Sequence, residues 1–279
     1  MLARAEHVIR WVPDPEPAPL DIIPEEPLLV GVDLGTAYLV LVVLDQDKQP
    51  LAGEYQFAQV VRDGLVVDFL GAVDLLVEMK QRVEKRLGRK LTHAATGFPP
   101  GVHQVEVRAS ANVVEAAGLH CTSMIDEPTA ANALLGLQNG AIVDVGGGTT
   151  GIAILQDGEV VYTADEPTGG THFSLVIAGA QDISFEAAEV MKVNPTEQSR
   201  LFLIIRPVME KVASIVARHV AQSQVQVENL TLVGGTSAYP GMAAVIEDYT
   251  GLPTHIPERP VFVTPLGIAM HDQVPEHKS

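Results

Sequence analysis

The chain has one cysteine, Cys121, in 279 residues. A lone thiol excludes an intramolecular disulfide and any cysteine cluster for zinc. The nine histidines are scattered without the spacing of paired metal ligands. Basic residues are scarce too: 18 Lys and Arg stand against 35 Asp and Glu, for a formal charge of −17. That balance argues against nucleic acid or an anionic membrane surface as the main partner. An anionic nucleotide would have to be held locally, by backbone donors and a metal. No stretch approaches the ~20 apolar residues of a membrane span. The opening MLARAEHVIRWVPDPEPAPL puts charges and prolines where a signal peptide needs an unbroken apolar core. A cytoplasmic protein is the expectation. There is no GxxxxGK followed by Ser or Thr, and no GxGxxG after a strand, so neither a P-loop nor a dinucleotide fingerprint is present.

What is present is a core-forming composition, 47% hydrophobic, and one device written twice. LLVGVDLGTAYLVLVVLD (28–45) and GAIVDVGGGTTGIAIL (140–155) each run from an apolar β-branched strand into Asp, then a Gly-rich turn with Thr, then a second apolar strand. Each reads as a β-hairpin with an acidic tip. Glycines there lack a Cβ that would block close approach, so the backbone N–H groups can be presented to an anion. Two such turns suggest two half-sites for one polyphosphate.

Residues Pro13 to Pro27 hold six prolines and several acids. The segment supports neither a ladder nor a helix and is expected to be extended, as a leader or as a docking peptide. Two more strands follow the first hairpin. Helical spacing then runs from Gly71 to Lys90, LTHAATGFPPG reads as a strand, and residues 105–117 read as a helix stopped by Gly118. SMIDEPTAANALLG is a short strand and a helix with Pro128 in its first turn. The second half repeats this order: EVVYTADEPTGGTHFSLVIAG is strand, Gly-Gly turn and helix; Pro207 to Ala221 is a helix; LTLVGGTSAYPGM is strand, turn and helix; TPLGIAMH is a last helix. Strands followed by helices with some antiparallel pairing predict an α/β fold of two similar mixed-sheet domains.

Asp33 and Asp144 sit at matching points of the hairpin tips. Carboxylates there repel phosphate unless a hard cation lies between, and magnesium, which keeps several waters, suits that role. Thr36 and Thr149 can donate hydroxyls to phosphate, whereas Thr150 reads as an ordinary strand residue. Glu127, before Pro128, either orients a water or complements a helix dipole. The turn Gly234, Gly235, Thr236, Ser237 joins a strand to a helix, a setting that favours anions. Met79, Met191 and Met209 read as core filler, and His172 as a residue at a helix start.

The ordered motifs DLGT, DEPTAA, DVGGGTTG, VGGTSAYPGM and TPLGIA resemble the actin-like ATPase superfamily, in particular the nucleotide-binding domain of seventy-kilodalton heat-shock chaperones. VVRDGLVVDFLGAV, THAATGFPPG, IDEPTAA, DVGGGTTGIAI and TADEPTGGTHFSL further resemble the EutJ family of ethanolamine-utilisation proteins, which are chaperonin-like and belong to microcompartment operons. The resemblance implies two ribonuclease-H-like domains around a nucleotide cleft, with ATP or ADP and Mg²⁺. It implies nucleotide contacts at Asp33, Gly35, Thr36, Ala37, Gly146, Gly147, Gly148, Thr149, Gly169, Gly170, Gly234, Gly235, Thr236 and Ser237, magnesium held by Asp33 and Asp144 through water, and catalytic roles for Glu127 and Asp144.

The expected layout is an N-terminal extension (1–27), domain I (28–139), domain II (140–254) and a returning C-terminal helix with a tail (255–279). Too few residues separate Gly179 from Pro207 for the chaperones' helical subdomain, and no segment supplies their catalytic lysine. The implied function is therefore an ATP-binding chaperone-like or assembly factor with weak or no ATPase activity, cytoplasmic or associated with a microcompartment. Its partners would be ethanolamine-utilisation enzymes or microcompartment proteins. A metabolite kinase and a nucleotide-binding filament scaffold are the alternatives.

Overall fold

The computed structural model describes residues 1–12, 14–15, 26–62, 65–101 and 104–274. The chain divides into two units, Met1–Leu135 with Phe262–Ser279, and Gly136–Val261.

The first unit opens with α1 (Leu2–Val8) and β1 (Ile9–Val12). The β-branched first hairpin forms β2 (Leu29–Leu34) and β3 (Tyr38–Leu44), followed by β4 (Pro50–Phe57) and the short pair β5 (Val61–Arg62) and β6 (Leu65–Val66). Helix α2 (Phe69–Leu87) starts at Asp68, whose side chain accepts from the Gly71 N–H, and stops at Gly88 in the left-handed conformation, φ 65. Then come β7 (His93–Phe98), α3 (Gln104–Ala116), β8 (His120–Asp126) and α4 (Glu127–Leu135). Leu39, Leu41 and Val43 of β3 meet Leu76, Met79, Val83 and Leu87 of α2 in one apolar core, as the alternation of the strand and the spacing of the helix demand.

The second unit repeats the pattern with β9 (Gly140–Val145), β10 (Thr150–Gln156) and β11 (Glu159–Glu166). Three helices follow, α5 (Gly170–Gln181), α6 (Phe185–Val193) and α7 (Pro195–Ser223), then β12 (Leu230–Val233), a short 3₁₀ turn, α8 (Met242–Thr250) and β13 (Thr254–His255). The last helix, α9 (Val263–Met270), belongs to the first unit.

The duplication seen in the hairpins extends to topology. The sheets run β1-β4-β3-β2-β7-β8 and β11-β10-β9-β12-β13. In each, the hairpin strands and the next strand are antiparallel, and the first hairpin strand pairs in parallel on its other side. The direction of travel across the sheet therefore reverses at β2 and at β9. The carboxyl ends of strands at such reversals are where open α/β sheets bind ligands.

Three features depart from the sequence expectation. Residues 2–12 are helix and edge strand, with β1 parallel to β4 from Ile9↔Gly53 to Val12↔Gln56. Gly53 makes this possible, since a Cβ there would stand 3.1 Å from Ile9 Cγ1. The extended segment expected from Pro13 to Pro27 lies, apart from residues 14–15 and 26–27, outside the described residues. Second, the helix expected from Pro207 begins at Pro195, capped by Asn194, and runs through Pro207. An internal proline costs about 3 kcal/mol locally. Buried Leu201, Ile205, Met209, Val212 and Val216 along α7 outweigh it. Third, His255 stays in the second sheet through Thr231↔His255.

Helix α9 is buried from Val263 to Ala269, lying against β2 and α4. Just past it, the Asp272 carboxylate accepts from Val30 N–H (2.8 Å), His93 Nδ1 (2.8 Å) and the Thr122 hydroxyl, which ties the chain's end into the first sheet. In the second unit, Glu166 at the end of β11 accepts from Arg218 (2.5 Å) and from His219 Nε2 (3.0 Å) on α7. The Tyr162 hydroxyl then donates to His219 Nδ1 at 2.7 Å. The His219 hydrogen bond and the Arg218 charge hold the Glu166 carboxyl below its ordinary value.

Two outcomes are expected. A Cβ at Gly267 would stand 1.8 Å from the Ala130 carbonyl oxygen, so Gly267→Ala forces α9 off α4 and lowers urea-unfolding stability by about 3 kcal/mol. Glu166→Gln lowers stability near neutral pH by about 1 kcal/mol or less, since the pair is partly solvated. A depressed carboxyl stabilises above its unfolded pKa, and that contribution is lost as pH falls through the folded value. The gap between wild type and variant in urea melts should therefore close as the pH drops below the carboxylate range.

Candidate functional site: two glycine-tipped hairpins

In the second unit three glycine turns meet at one carbonyl. The hairpin tip between β9 and β10 is closed by the Gly146 N–H donating to Thr149 O at 3.0 Å. The Gly146 carbonyl then accepts from the Gly170 N–H, at the start of α5, at 3.0 Å. It also accepts from the Thr236 hydroxyl, in the turn after β12, at 2.7 Å. Thr171 N–H adds a bond to Gly147 O at 2.7 Å. Motifs spread from Asp144 to Thr236 thus share one small volume.

Glycine is required at the closest approaches. Gly234 has φ 84, and a Cβ there would come within 2.2 Å of Asp144 Oδ1. A Cβ at Gly170 would stand 2.5 Å from Thr236 Oγ1. Among the described residues, the N–H groups of Gly147, Gly148 and Thr149 enter no hydrogen bond. They form a row of donors at a glycine-rich tip, the chemistry that suits phosphate oxygens.

Not every expected residue faces this volume. Ser237 is fully buried and its hydroxyl donates to Val233 O at 2.5 Å. Thr150 is likewise buried, donating to Thr168 O at 2.6 Å, in keeping with its reading as a strand residue. His172 is in the first turn of α5, where Nδ1 accepts from the Gly169 N–H at 3.3 Å. Gly235 is exposed beside Val261.

Sequence reading missed a trio behind Gly170, a buried Ser174 with half-buried Glu189 and Lys192. The Lys192 ammonium donates to Gly170 O (3.1 Å) and to Glu189 Oε1 (2.7 Å), and the Ser174 hydroxyl donates to the same carboxylate oxygen (2.5 Å). Burial lowers the Lys192 pKa, and Glu189 opposes the shift. The i,i+3 spacing of Glu189 and Lys192 was the available signal, but it has meaning only once α6 is recognised as a helix.

The first unit carries the same tip. Gly35 N–H donates to Tyr38 O at 3.0 Å, the counterpart of the Gly146 to Thr149 bond. Among the described residues, the N–H groups of Thr36 and Ala37 enter no hydrogen bond, while the Ala37 carbonyl accepts from Ala58 N–H at 3.0 Å. Asp33 lies near the carboxyl end of β2, opposite Val40. Strand β8 passes directly into α4, and the cap is Asp126, whose side chain accepts from the Thr129 N–H at 3.0 Å. Glu127 therefore opens α4 beside Gly97: its Cγ lies 3.7 Å from where a Cβ on Gly97 would stand. The registers Val32↔Thr96 and Phe98↔Asp126 place Asp33 and Glu127 at the same end of the parallel strands.

These residues fit a phosphate, for which unengaged backbone donors and open glycine tips are the needed chemistry. Among the described residues there is no group of three or more His, Cys, Asp or Glu that could hold a metal by itself. Each tip, taken by itself, carries one carboxylate, Asp33 or Asp144, the kind of oxygen donor that magnesium takes. No described helix is long and apolar enough to cross a membrane.

Comparison with known proteins places this geometry. The family described as Type IV pilus assembly protein PilM matches residues 128–264, and the MreB/Mbl family matches residues 51–179. Ethanolamine utilization protein EutJ of Escherichia coli (strain K12) is 46% identical over 246 residues, covering 88% of this chain and 86% of that protein. The crystal structure of EutJ from Carboxydothermus hydrogenoformans superposes with a TM-score of 0.85 at 44% identity, covering 91% of this chain and 92% of the other. MreB5 of Spiroplasma citri bound to AMPPNP shares the fold, with a TM-score of 0.71 at 19% identity over 88% of this chain and 96% of its own. The repeated sheets, the matched hairpin tips and this level of identity lead to one conclusion: the chain belongs to the EutJ family of ethanolamine utilization proteins and has the actin-like ATPase fold.

Proposed function

We propose that this chain binds ATP or ADP with Mg²⁺ and acts as a chaperone-like or assembly factor in ethanolamine utilisation, with weak or no hydrolysis. The observation that carries the reading is the meeting of three glycine turns on the Gly146 carbonyl, beside a row of unengaged N–H donors. Two findings on relatives support it: EutJ proteins are named for ethanolamine utilization, and MreB5 of the same fold was solved with AMPPNP and with ADP.

In this proposal Gly147, Gly148 and Thr149 take phosphate oxygens on their N–H groups while Gly146 closes the tip, and Thr36 and Ala37 do the same on the first tip, which Gly35 closes. Gly169 and Gly170 brace the second tip. The Gly234, Gly235 and Thr236 turn takes the adenosine side. Asp33 and Asp144 face the cation's water, and Glu127 orients a water for any hydrolysis. Magnesium, when bound, neutralises phosphate charge. The protein's contribution is positioning and preorganised dipoles, which is most of what phosphoryl transfer asks. Nucleotide occupancy then alters a surface read by ethanolamine-utilisation enzymes or microcompartment proteins, in the cytoplasm or at the microcompartment.

Titration calorimetry with Mg·ATP tests the binding step. Wild type should bind. Asp144→Ala should weaken binding at least tenfold. Gly170→Ala should abolish it, because the new methyl displaces Thr236 from the Gly146 carbonyl. No heat and no melting shift for the wild type would refute the proposal. The client step is read by pull-down of ethanolamine-utilisation enzymes with ATP present. A client retained equally by wild type and Asp144→Ala would show that the nucleotide does not control the partner surface.

A further inference from the structure

The two hairpin tips share a closing bond and differ in what holds it. In the second unit the Gly146 carbonyl is engaged by the Gly170 N–H and the Thr236 hydroxyl. Among the described residues no hydrogen bond reaches the Gly35 carbonyl, its counterpart in the first unit. The closing acceptors differ as well, Thr149 O in the second tip and Tyr38 O in the first. An aromatic residue therefore stands where the first tip returns to its sheet.

The surroundings of Tyr38 are aromatic too. Register sets it directly opposite Phe57 on β4, with Tyr55 as the diagonal neighbour on the same face. The Tyr38 ring lies 5.9 Å from Phe57, edge to face at 78°, and 5.8 Å from Tyr55, tilted by 55°. Tyr55 in turn meets Phe262 edge to face, at 5.5 Å and 80°. Phe262 is 3% exposed and stands at the N-cap of the buried helix α9. Aromatic rings favour these separations and angles, and each such pair contributes beyond the area it buries. A side chain held in one rotamer against a sheet leaves its own backbone little freedom. Clamping the Tyr38 ring therefore also fixes the Tyr38 carbonyl, which accepts from the Gly35 N–H. The end of β4 adds one backbone tie, from Ala58 N–H to Ala37 O at 3.0 Å.

We propose that Tyr55 and Phe57 are positioning residues of the first phosphate tip: by clamping Tyr38 they hold the carbonyl that closes the tip, and with it the Thr36 and Ala37 N–H groups that the closed turn presents. This rests on the nucleotide-binding reading and adds to it a mode of support. Rings hold the first tip, and a shared carbonyl holds the second.

The test is amide hydrogen exchange of the full chain, read by NMR, beside calorimetry with Mg·ADP. Phe57→Leu keeps apolar bulk at a position that is 41% exposed, so the chain should fold. Exchange of the Gly35 N–H should speed up about fivefold and ADP affinity should fall by about as much, the worth of one lost ring pair. The Gly146 N–H should exchange at the wild-type rate. Tyr55→Leu should act in the same direction, while Tyr55→Phe, which keeps the ring, should stay within about twofold of wild type in both readouts. Faster exchange at Gly146 as well as at Gly35 would mark general destabilisation and overturn the positioning role. Unchanged Gly35 exchange in both leucine variants, beside normal ADP binding, would overturn this proposal alone. No heat with ADP from the wild type would overturn the nucleotide reading and this proposal with it.

Discussion

The Gly146 carbonyl is the point on which the candidate site depends. It accepts from a backbone N–H at the start of α5 and from the Thr236 hydroxyl, so one acceptor fixes two other turns against the second hairpin tip. Each backbone carbonyl has two lone pairs, and here both are engaged by segments that come from opposite ends of the second unit. Beside that carbonyl, the N–H groups of Gly147, Gly148 and Thr149 enter no hydrogen bond among the described residues. The result is a loop whose outward chemistry is that of an anion receptor, built without a single basic side chain at the tip. For a chain with a formal charge of −17, such a local arrangement is how a polyphosphate would be held.

The same logic explains where glycine is indispensable. Gly170 and Gly234 are placed where backbone meets a hydroxyl or a carboxylate at distances no Cβ tolerates. Behind them the Lys192, Glu189 and Ser174 trio props the Gly170 carbonyl from the far side. An ammonium withdrawn from water is costly unless paired, and Glu189 together with the carbonyl provides the pairing. In the first unit the support comes from a different source: α9 lies on β2 and α4, and the Asp272 carboxylate bonds to Val30, His93 and Thr122. Equivalent tips are thus held by unrelated packing. The duplicated part is the sheet and its turn, and what surrounds each has diverged.

Much of the site was legible in sequence because its elements are local. An apolar β-branched run ending in Asp and glycine specifies a hairpin tip wherever it occurs, and both tips formed as read. The same held for the Gly-Gly turns after β11 and β12. The failures have physical causes as well. Pro207 marks a helix start by local rule, yet burial of one face of α7 carried the helix through it. Serine in the Gly-Gly-Thr-Ser turn looked like a ligand, and only packing turned Ser237 inward. Residues 1–27 read as an N-terminal extension, and Ile9–Val12 within it joins the first sheet because Gly53 on β4 leaves room for Ile9.

By itself the sequence determined the repeated strand and turn pattern, the acids at both tips, the exclusion of disulfide and cysteine-cluster chemistry, and the family resemblance. These follow from short-range sterics, periodicity and composition, which act within a few residues of one another. Tertiary structure decided which turns share a carbonyl, which hydroxyls face inward, and that α6 supplies a half-buried lysine behind Gly170. Such facts depend on strand register and on the packing of segments far apart in the chain. A register is set by the fit of whole faces, so no single motif contains it.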